Sequence, residues 1–151
     1  MAASCVLCGV DDSPAAANII SVAARLRERL GLRLVIAYAV REPVTVGVAP
    51  APYAYPYQPE TEVARDTPEE LLEAIVRRSP EAEGAELRAA TGDPAEMLLS
   101  LADDEHAELL VVGSRGRGPL KAALLGSVSS AVAARASCPV VIVPRASVSE
   151  D

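Results

Sequence analysis

The sequence contains no Phe and no Trp, and four Tyr make up its aromatic content. Half of its 151 residues are nevertheless hydrophobic, so its core has to be built from Val, Leu, Ile and Ala. Side chains of this kind suit a parallel β-sheet that is covered by helices. We expect a single domain over residues 1–151 that buries about two-thirds of the surface exposed by the unfolded chain.

Basic residues are also scarce, since 14 Lys and Arg stand against 21 Asp and Glu and the net charge is −7. We expect no nucleic-acid partner, because a phosphate backbone is bound by a basic face. A small phosphate ligand remains compatible with this charge, because backbone N–H groups bind phosphate without a net positive charge.

The sequence has three cysteines and one histidine. An odd number of cysteines in a chain with a sufficient hydrophobic core does not indicate a disulfide framework. Cys5 and Cys8 form a C-x-x-C pattern, but residues three apart in a strand point to opposite faces. We therefore expect two buried thiols and an exposed His106, with no metal site and no hydrolytic triad. Because the sequence shows neither a membrane span nor a secretion signal, we expect a cytoplasmic protein without a membrane partner.

The hydrophobic pattern predicts alternating strands and helices. The predicted strands are 5–10, 32–40, 85–91, 107–113 and 139–143, and the predicted helices are 15–30, 68–79, 94–105 and 120–136. Ser13 is the predicted N-cap of the first helix, with Pro14 at its first position, and Asp93 caps the third. Such alternation specifies a parallel sheet with right-handed crossovers and helices on both faces.

One connection is unusually long. The segment 41–67 is rich in Pro and Tyr and shows no periodicity, which indicates either a functional lid or disorder. Its side chains Tyr53, Tyr55 and Tyr57 could stack on a base, anchor the loop on the domain or contact a partner, and stacking is the less favoured interpretation.

In open α/β sheets, ligands bind beyond the carboxyl ends of the strands. Polar residues and glycines concentrate at those predicted ends, at 11–13, Gly92 and 113–116. The opposite ends, around Ser4, Arg33, Glu86 and Glu108, show no comparable cluster. This asymmetry predicts a single binding edge.

The segment 113–128 reads GSRGRGPLKAALLGSV and is compared first with two common phosphate loops. It is not a P-loop, because Gly118 is followed by Pro119 where a Lys is required. It is not a dinucleotide fingerprint, because the third glycine would have to stand at position 121, which is Lys121.

The spacing that remains is Gly113-x2-Gly116-x9-Gly126-Ser127. These glycines either let the backbone approach an anion closely or serve a tight turn that needs a positive φ. Gly126 interrupts a helical pattern, where it costs about 1 kcal/mol relative to Ala. Either the helix carries this defect, or a helix begins at Ser127 with its N-terminus facing phosphate.

Together with VDDS at 10–13, TGDP at 91–94 and the sequence up to Pro144, this motif resembles the universal stress protein family. The resemblance covers almost the whole chain, and the complete glycine motif is typical of the ATP-binding branch. It implies a flavodoxin-like, Rossmann-like α/β sandwich of three layers with five parallel strands in the order 3-2-1-4-5. It also implies a homodimer that pairs through the last strand.

The resemblance further implies which residues bind the nucleotide. Asp11 matches the aspartate at the end of the first strand, and Ala39 matches a backbone contact to adenine. The phosphate loop falls on Val112, Gly113, Gly116, Gly126, Ser127 and Val128. Apart from the resemblance, Ser13 and Arg115 complete the candidate set, and Arg115 either clamps a phosphate or is an exposed, solvated loop residue. The second strand ends in Tyr38-Ala39, where the family usually has His-Val.

The last predicted strand, 139–143, is wholly apolar between its flanking prolines. An exposed edge of this kind promotes aggregation unless it is paired. Pairing with the same strand of a second copy, about a two-fold axis, satisfies both edges and supports the homodimer.

We therefore expect a stress-response regulator in which ATP and phosphate-bound Mg²⁺ order the loops and change the binding of a protein partner. No catalytic residue is expected, and ATP hydrolysis should be slow at most. Three alternatives stay open. The first is an interaction module that does not depend on nucleotide. The second is a slow ATPase or a self-phosphorylating protein with Ser127 or Ser129 as acceptor. The third is a protein that binds AMP or cyclic AMP.

Overall fold

The computed structural model describes residues 3–41, 66–114 and 125–145. Most of the Pro- and Tyr-rich segment lies outside these residues, as do Arg115 and Gly116. Within the described ranges, no helix is long and apolar enough to cross a lipid bilayer.

Strands and helices alternate along the described residues. The strands are β1 (Cys5–Val10), β2 (Arg33–Val40), β3 (Glu86–Thr91), β4 (Ala107–Gly113) and β5 (Val140–Val143). The helices are α1 (Ala16–Leu30), α2 (Pro68–Arg77), α3 (Pro94–Asp104) and α4 (Ser127–Arg135), and a 3-10 turn follows α2 at Pro80–Ala82. The sheet is parallel throughout, in the order β3-β2-β1-β4-β5. The predicted fold class and strand order are therefore confirmed.

The two faces of the sheet pack against different helices. On one face, α1 and α2 contribute Ile20 and Leu72 to a buried cluster. On the other face, α3 and α4 contribute Leu98 and Val132 to a second cluster. Successive residues of β1 alternate between these clusters because strand side chains point to opposite faces. The result is a three-layer α/β/α sandwich.

The C-x-x-C cysteines lie in this core as expected. Cys5 and Cys8 are both fully buried, each in a different cluster, and all three cysteines of the chain are free thiols. Burial raises the pKa of the Cys5 thiol to about 11 and that of the Cys8 thiol to about 12. Thiols with such pKa values are poor nucleophiles at neutral pH, so the pair acts as small hydrophobic side chains.

The start of α1 differs from its prediction. The helix begins at Ala16 with Ala15 as N-cap, so the cap assigned to Ser13 and the first position assigned to Pro14 were wrong. The carboxylate of Asp11 explains the difference. Its Oδ1 accepts the N–H of Ser13 at 2.9 Å, and the carbonyl of Ser13 accepts the N–H of Ala16 at 3.2 Å, so a turn precedes the helix.

The first residues of α3 and α4 can be compared with two further predictions. Asp93 caps α3 as predicted, and its side chain accepts the N–H of Glu96 at 3.0 Å. The last helix begins at Ser127, with Gly126 as an extended N-cap of φ −67° and ψ 167°. The continuous helix predicted over 120–136 was therefore wrong, and the alternative start at Ser127 is confirmed.

An ion-pair cluster of Arg33, Glu86, Arg88 and Glu105 lies at the amino ends of the strands. Arg33 approaches Glu86 at 3.0 Å and Glu105 at 2.9 Å, and Arg88 approaches the same two carboxylates at 3.0 and 2.9 Å. The sequence shows no comparable cluster at this edge because residues distant in sequence, on β2, β3 and the end of α3, meet there only in the fold.

Replacement of Glu105 by Gln should lower the free energy of unfolding by roughly 1–2 kcal/mol at neutral pH. Hydrogen bonding from Arg33 holds the pKa of Glu105 below its ordinary value of 4.5. A lowered native pKa stabilises the fold above that ordinary value, and this stabilisation is lost as the pH falls through the native pKa. Urea unfolding of both proteins between about pH 3 and 7 measures the effect, and their difference should shrink in acid.

The matched control for this variant is Glu73→Gln. It removes an exposed pair in which Glu73 and Arg77 are 3.9 Å apart, and it should cost less than about 0.5 kcal/mol. Equal losses for the two variants, or a Glu105→Gln effect that does not depend on pH, would contradict the role given to the ion-pair cluster.

Candidate functional site

A cavity of about 390 Å³ opens at the carboxyl ends of β1, β2 and β4, beside the first turns of α3 and α4. Its volume lies within the range that is usual for small-molecule sites. The described residues that line it are 9–12, Ile19, 37–41, Pro94, Met97, Leu98, 112–113 and 126–129. The cavity thus lies at the edge of the sheet that the sequence predicts for binding.

The structure brings most of the predicted site residues together around this cavity. Seven of the ten line it, namely Asp11, Ala39, Val112, Gly113, Gly126, Ser127 and Val128. Ser13 does not line it, and its buried hydroxyl has no hydrogen-bond partner within the described residues. Arg115 and Gly116 lie outside the described residues.

Sequence reasoning missed one wall of the cavity. Pro94, Met97 and Leu98 come from the first turns of α3. Because α3 follows β3 directly, its N-terminus lies at the same edge of the sheet as the strand ends. The capping residue Asp93 was the available signal, since it marks a helix that starts at this edge.

The floor of the cavity consists of small residues. Gly9 of β1 is the register partner of Ala37 of β2, and Ala39 lies on the same face two residues on. Val10 and Tyr38, the next register pair, are larger and belong to the cluster on the opposite face, where α1 packs. The small residues leave space on the face that α3 and α4 cover, and Val10, Ile19 and Tyr38 complete the lining from the side of α1.

Hydrogen bonds at Ser114 join the start of α4 to the sheet. The carbonyl of Ser114 accepts the N–H of Gly126 at 2.7 Å, and the N–H of Ser114 donates to the carbonyl of Val143 at 2.9 Å. The buried hydroxyl of Ser129 lies 3.0 Å from the carbonyl oxygen of Ser114 and 3.1 Å from that of Gly126. These bonds close the base of the glycine loop, the segment 113–127, and fix the N-terminus of α4 at the cavity.

The start of α4 is suited to an anion. Within the described residues no side chain caps this helix, and its first turn has no acidic residue. The first N–H that bonds inside the helix is that of Ser130, which donates to the carbonyl of Gly126 at 2.9 Å. The N–H groups of Ser127, Val128 and Ser129 precede it and have no acceptor within the helix. They form a positive end of the helix dipole at the cavity wall.

The two described glycines of the loop do not serve a left-handed backbone. Gly126 has a φ of −67°, and Gly113 is not among the described glycines with positive φ, which are Gly31, Gly84 and Gly92. The alternative of a tight turn that needs positive φ was therefore wrong for both. Because glycine has no side chain, a ligand can approach the backbone closely at these two positions.

Both signs of charge occur at the cavity. Asp11 and Asp12 line it at the end of β1, and one oxygen of Asp11 already accepts the N–H of Ser13. Arg41 lines the other side, and its Nη1 lies 4.0 Å from Oδ1 of Asp93. Within the described residues, no group of three or more His, Cys, Asp or Glu is arranged to hold a metal ion.

The chain is similar to proteins of one family. The Universal stress protein family matches residues 5–144. Universal stress protein YxiE of Bacillus subtilis is 32% identical over 143 residues, which are 91% of this chain and 97% of that protein. Universal stress protein Rv2623 of Mycobacterium tuberculosis is also 32% identical over 91% of this chain, which spans 46% of the length of that relative.

Solved structures of this family share the architecture. A universal stress protein in complex with cAMP is 29% identical and has a TM-score of 0.63 over 95% of this chain and 98% of that one. A universal stress protein from Archaeoglobus fulgidus in complex with dAMP is 20% identical, with a TM-score of 0.56 over 94% of this chain and 98% of that one. The parallel sheet and the match over residues 5–144 lead to the same conclusion, that this chain belongs to the universal stress protein family.

Proposed function

We propose that the cavity binds an adenine nucleotide, ATP with its Mg²⁺, and that nucleotide occupancy regulates the binding of a protein partner in a cytoplasmic stress response. The observation that carries this proposal is the junction of two different walls in one cavity. One wall is apolar and comes from α3, and the other is the uncapped N-terminus of α4.

The apolar wall suits the base. Pro94, Met97 and Leu98 line the cavity together with the small residues Ala37 and Ala39, and a flat ring system packs well against apolar surfaces of this kind. The end of β2 supplies backbone N–H and C=O groups that can read the edge of the base. The relative that is 29% identical is a complex with cAMP, which also carries adenine.

The start of α4 suits the phosphates. Its N–H groups, together with the hydroxyl of Ser127, donate hydrogen bonds, and phosphate at a helix N-terminus is stabilised by the helix dipole. The carboxylates of Asp11 and Asp12 and the Ser127 hydroxyl offer the oxygen ligands that Mg²⁺ prefers. Bound Mg²⁺ would neutralise phosphate charge, with the phosphates themselves completing its coordination.

Ser129 is poorly placed for the self-phosphorylation alternative. Its side chain is 2% exposed, and its hydroxyl is within hydrogen-bonding distance of two backbone carbonyls. Ser127 is exposed and lines the cavity, so it is the more accessible acceptor. The self-phosphorylation alternative therefore depends on Ser127.

Substitution of both Gly113 and Gly126 by Val should abolish ATP binding and leave the fold intact, because the branched side chains prevent the backbone from approaching the phosphates. Isothermal titration calorimetry with Mg²⁺-ATP measures the affinity, and circular dichroism checks the fold. The matched control is Ala134→Val, which adds the same side chain at an exposed position of α4 that does not line the cavity. An unchanged affinity in the double variant would overturn the site assignment.

The wild-type protein used for calorimetry also allows the bound nucleotide to be identified. Mass spectrometry of ligand released from freshly purified protein distinguishes ATP from AMP and cyclic AMP. A protein that carries no nucleotide and is not stabilised thermally by ATP would instead be an interaction module.

We also propose that two copies pair through the strand 139–143. The carbonyls of Pro139 and Val143 accept the N–H groups of Leu110 and Ser114 at 3.0 and 2.9 Å. Alternate residues of a parallel strand bond to the same neighbour, so the backbone N–H and C=O groups of Val140 and Ile142 point away from β4. They form a free edge within the described residues.

Replacement of Ile142 by Pro should convert the dimer to a monomer, because it removes an outward N–H without removing a bond to β4. Light scattering after size-exclusion chromatography measures the mass. The control Ile142→Ala loses the side chain but keeps the N–H, and it should remain a dimer. A dimeric Ile142→Pro, or a monomeric wild type, would refute the pairing.

A further inference from the structure

Gly9 is the one residue of β1 on the cavity floor without a side chain, and its space is already occupied by a neighbour. A Cβ atom at Gly9 would lie 2.7 and 2.9 Å from the two terminal methyl carbons of Leu98 and 3.3 Å from Cγ1 of Val112. At distances under 3.0 Å one of the two groups has to shift, so a methyl group at this position would displace the end of the Leu98 side chain.

Leu98 is packed in the core on one side and borders free space on the other. Its side chain is 5% exposed and belongs to the cluster that includes the buried residues Ala95, Leu110 and Val132. A packed core resists added volume. Leu98 also lines the cavity, so the free space beside it is the space that a ligand would occupy.

We propose that Gly9 and Leu98 together set the depth of the base-binding end of the cavity and are specificity-determining residues for the adenine ring. This inference rests on the proposed function. The absence of a side chain at Gly9 lets Leu98 lie flat against β1, and the cavity then keeps the room that a two-ring base needs. A methyl group at Gly9 acts on the ligand indirectly, through the displaced Leu98.

The backbone of Gly9 does not itself require glycine. Gly9 lies inside a regular strand and is not among the described glycines with positive φ. Its neighbours in the sheet pair in register, with Ala37 of β2 opposite. Alanine is therefore compatible with the strand, and the conflict is confined to the ends of a flexible side chain.

A double-mutant cycle tests the inference with Mg²⁺-ATP as the probe and calorimetry as the readout. Gly9→Ala should weaken ATP binding on the order of 10- to 100-fold, the usual effect of one methyl group in a tight pocket. Gly9→Ala combined with Leu98→Ala should bind ATP within about threefold of Leu98→Ala alone, because the obstructing side chain is gone. Recovery of affinity by a second truncation is not expected from a merely structural defect.

Cys8→Ala serves as the matched control. Cys8 neighbours Gly9 but is fully buried on the opposite face and does not line the cavity. This variant should lower the melting temperature and leave the affinity for ATP unchanged.

The substitution Leu98→Phe places a larger side chain at the cavity from α3. It keeps the inference testable if Gly9→Ala does not fold. It should also weaken ATP binding. Wild-type affinity in either Gly9→Ala or Leu98→Phe, or no recovery in the double variant, would overturn the inference and leave the proposed function intact. Absence of ATP binding by the wild type would overturn the proposed function itself.

Discussion

The hydrogen bond from the N–H of Gly126 to the carbonyl of Ser114, 2.7 Å long, determines where α4 starts relative to the sheet. Ser114 is also bonded to Val143 at the end of β5, so the helix start, β4 and β5 form one rigid junction. Without this junction the uncapped N–H groups of α4 would face solvent at no fixed position. With it they lie at the carboxyl ends of the strands, in the wall of the cavity.

The cavity itself results from unequal faces of one sheet. At the carboxyl ends of β1 and β2, the face toward α1 carries Val10 and Tyr38, and the face toward α3 carries Gly9 and Ala37. The small side chains on the face toward α3 leave space beside that helix. The virtual lack of aromatic residues in the sequence is consistent with a core that fills its volume with short aliphatic chains, apart from this opening.

The alternation of apolar runs was sufficient to predict the five strands to within one residue and the parallel sheet. The position of Gly126 allowed the start of α4 to be proposed as an alternative, since a glycine is unfavourable inside a helix. The sequence could not show that Asp11 would bond the N–H of Ser13 and delay α1, because Ser, Asp and Pro are all compatible with a helix start. The wall from α3 and the ion-pair cluster depend on contacts between distant segments, for which no local pattern exists.

The ion-pair cluster lies at the amino ends of the strands, and the cavity lies at their carboxyl ends. The length of a six- to eight-residue strand, about 20 Å, separates them, and contributions from sites this far apart usually add independently. Residues at the cavity can therefore change without weakening the salt links of Arg33 and Glu105. Proteins with this sheet can therefore change the ligand they prefer and keep the stabilising ion pairs at the opposite end of the strands.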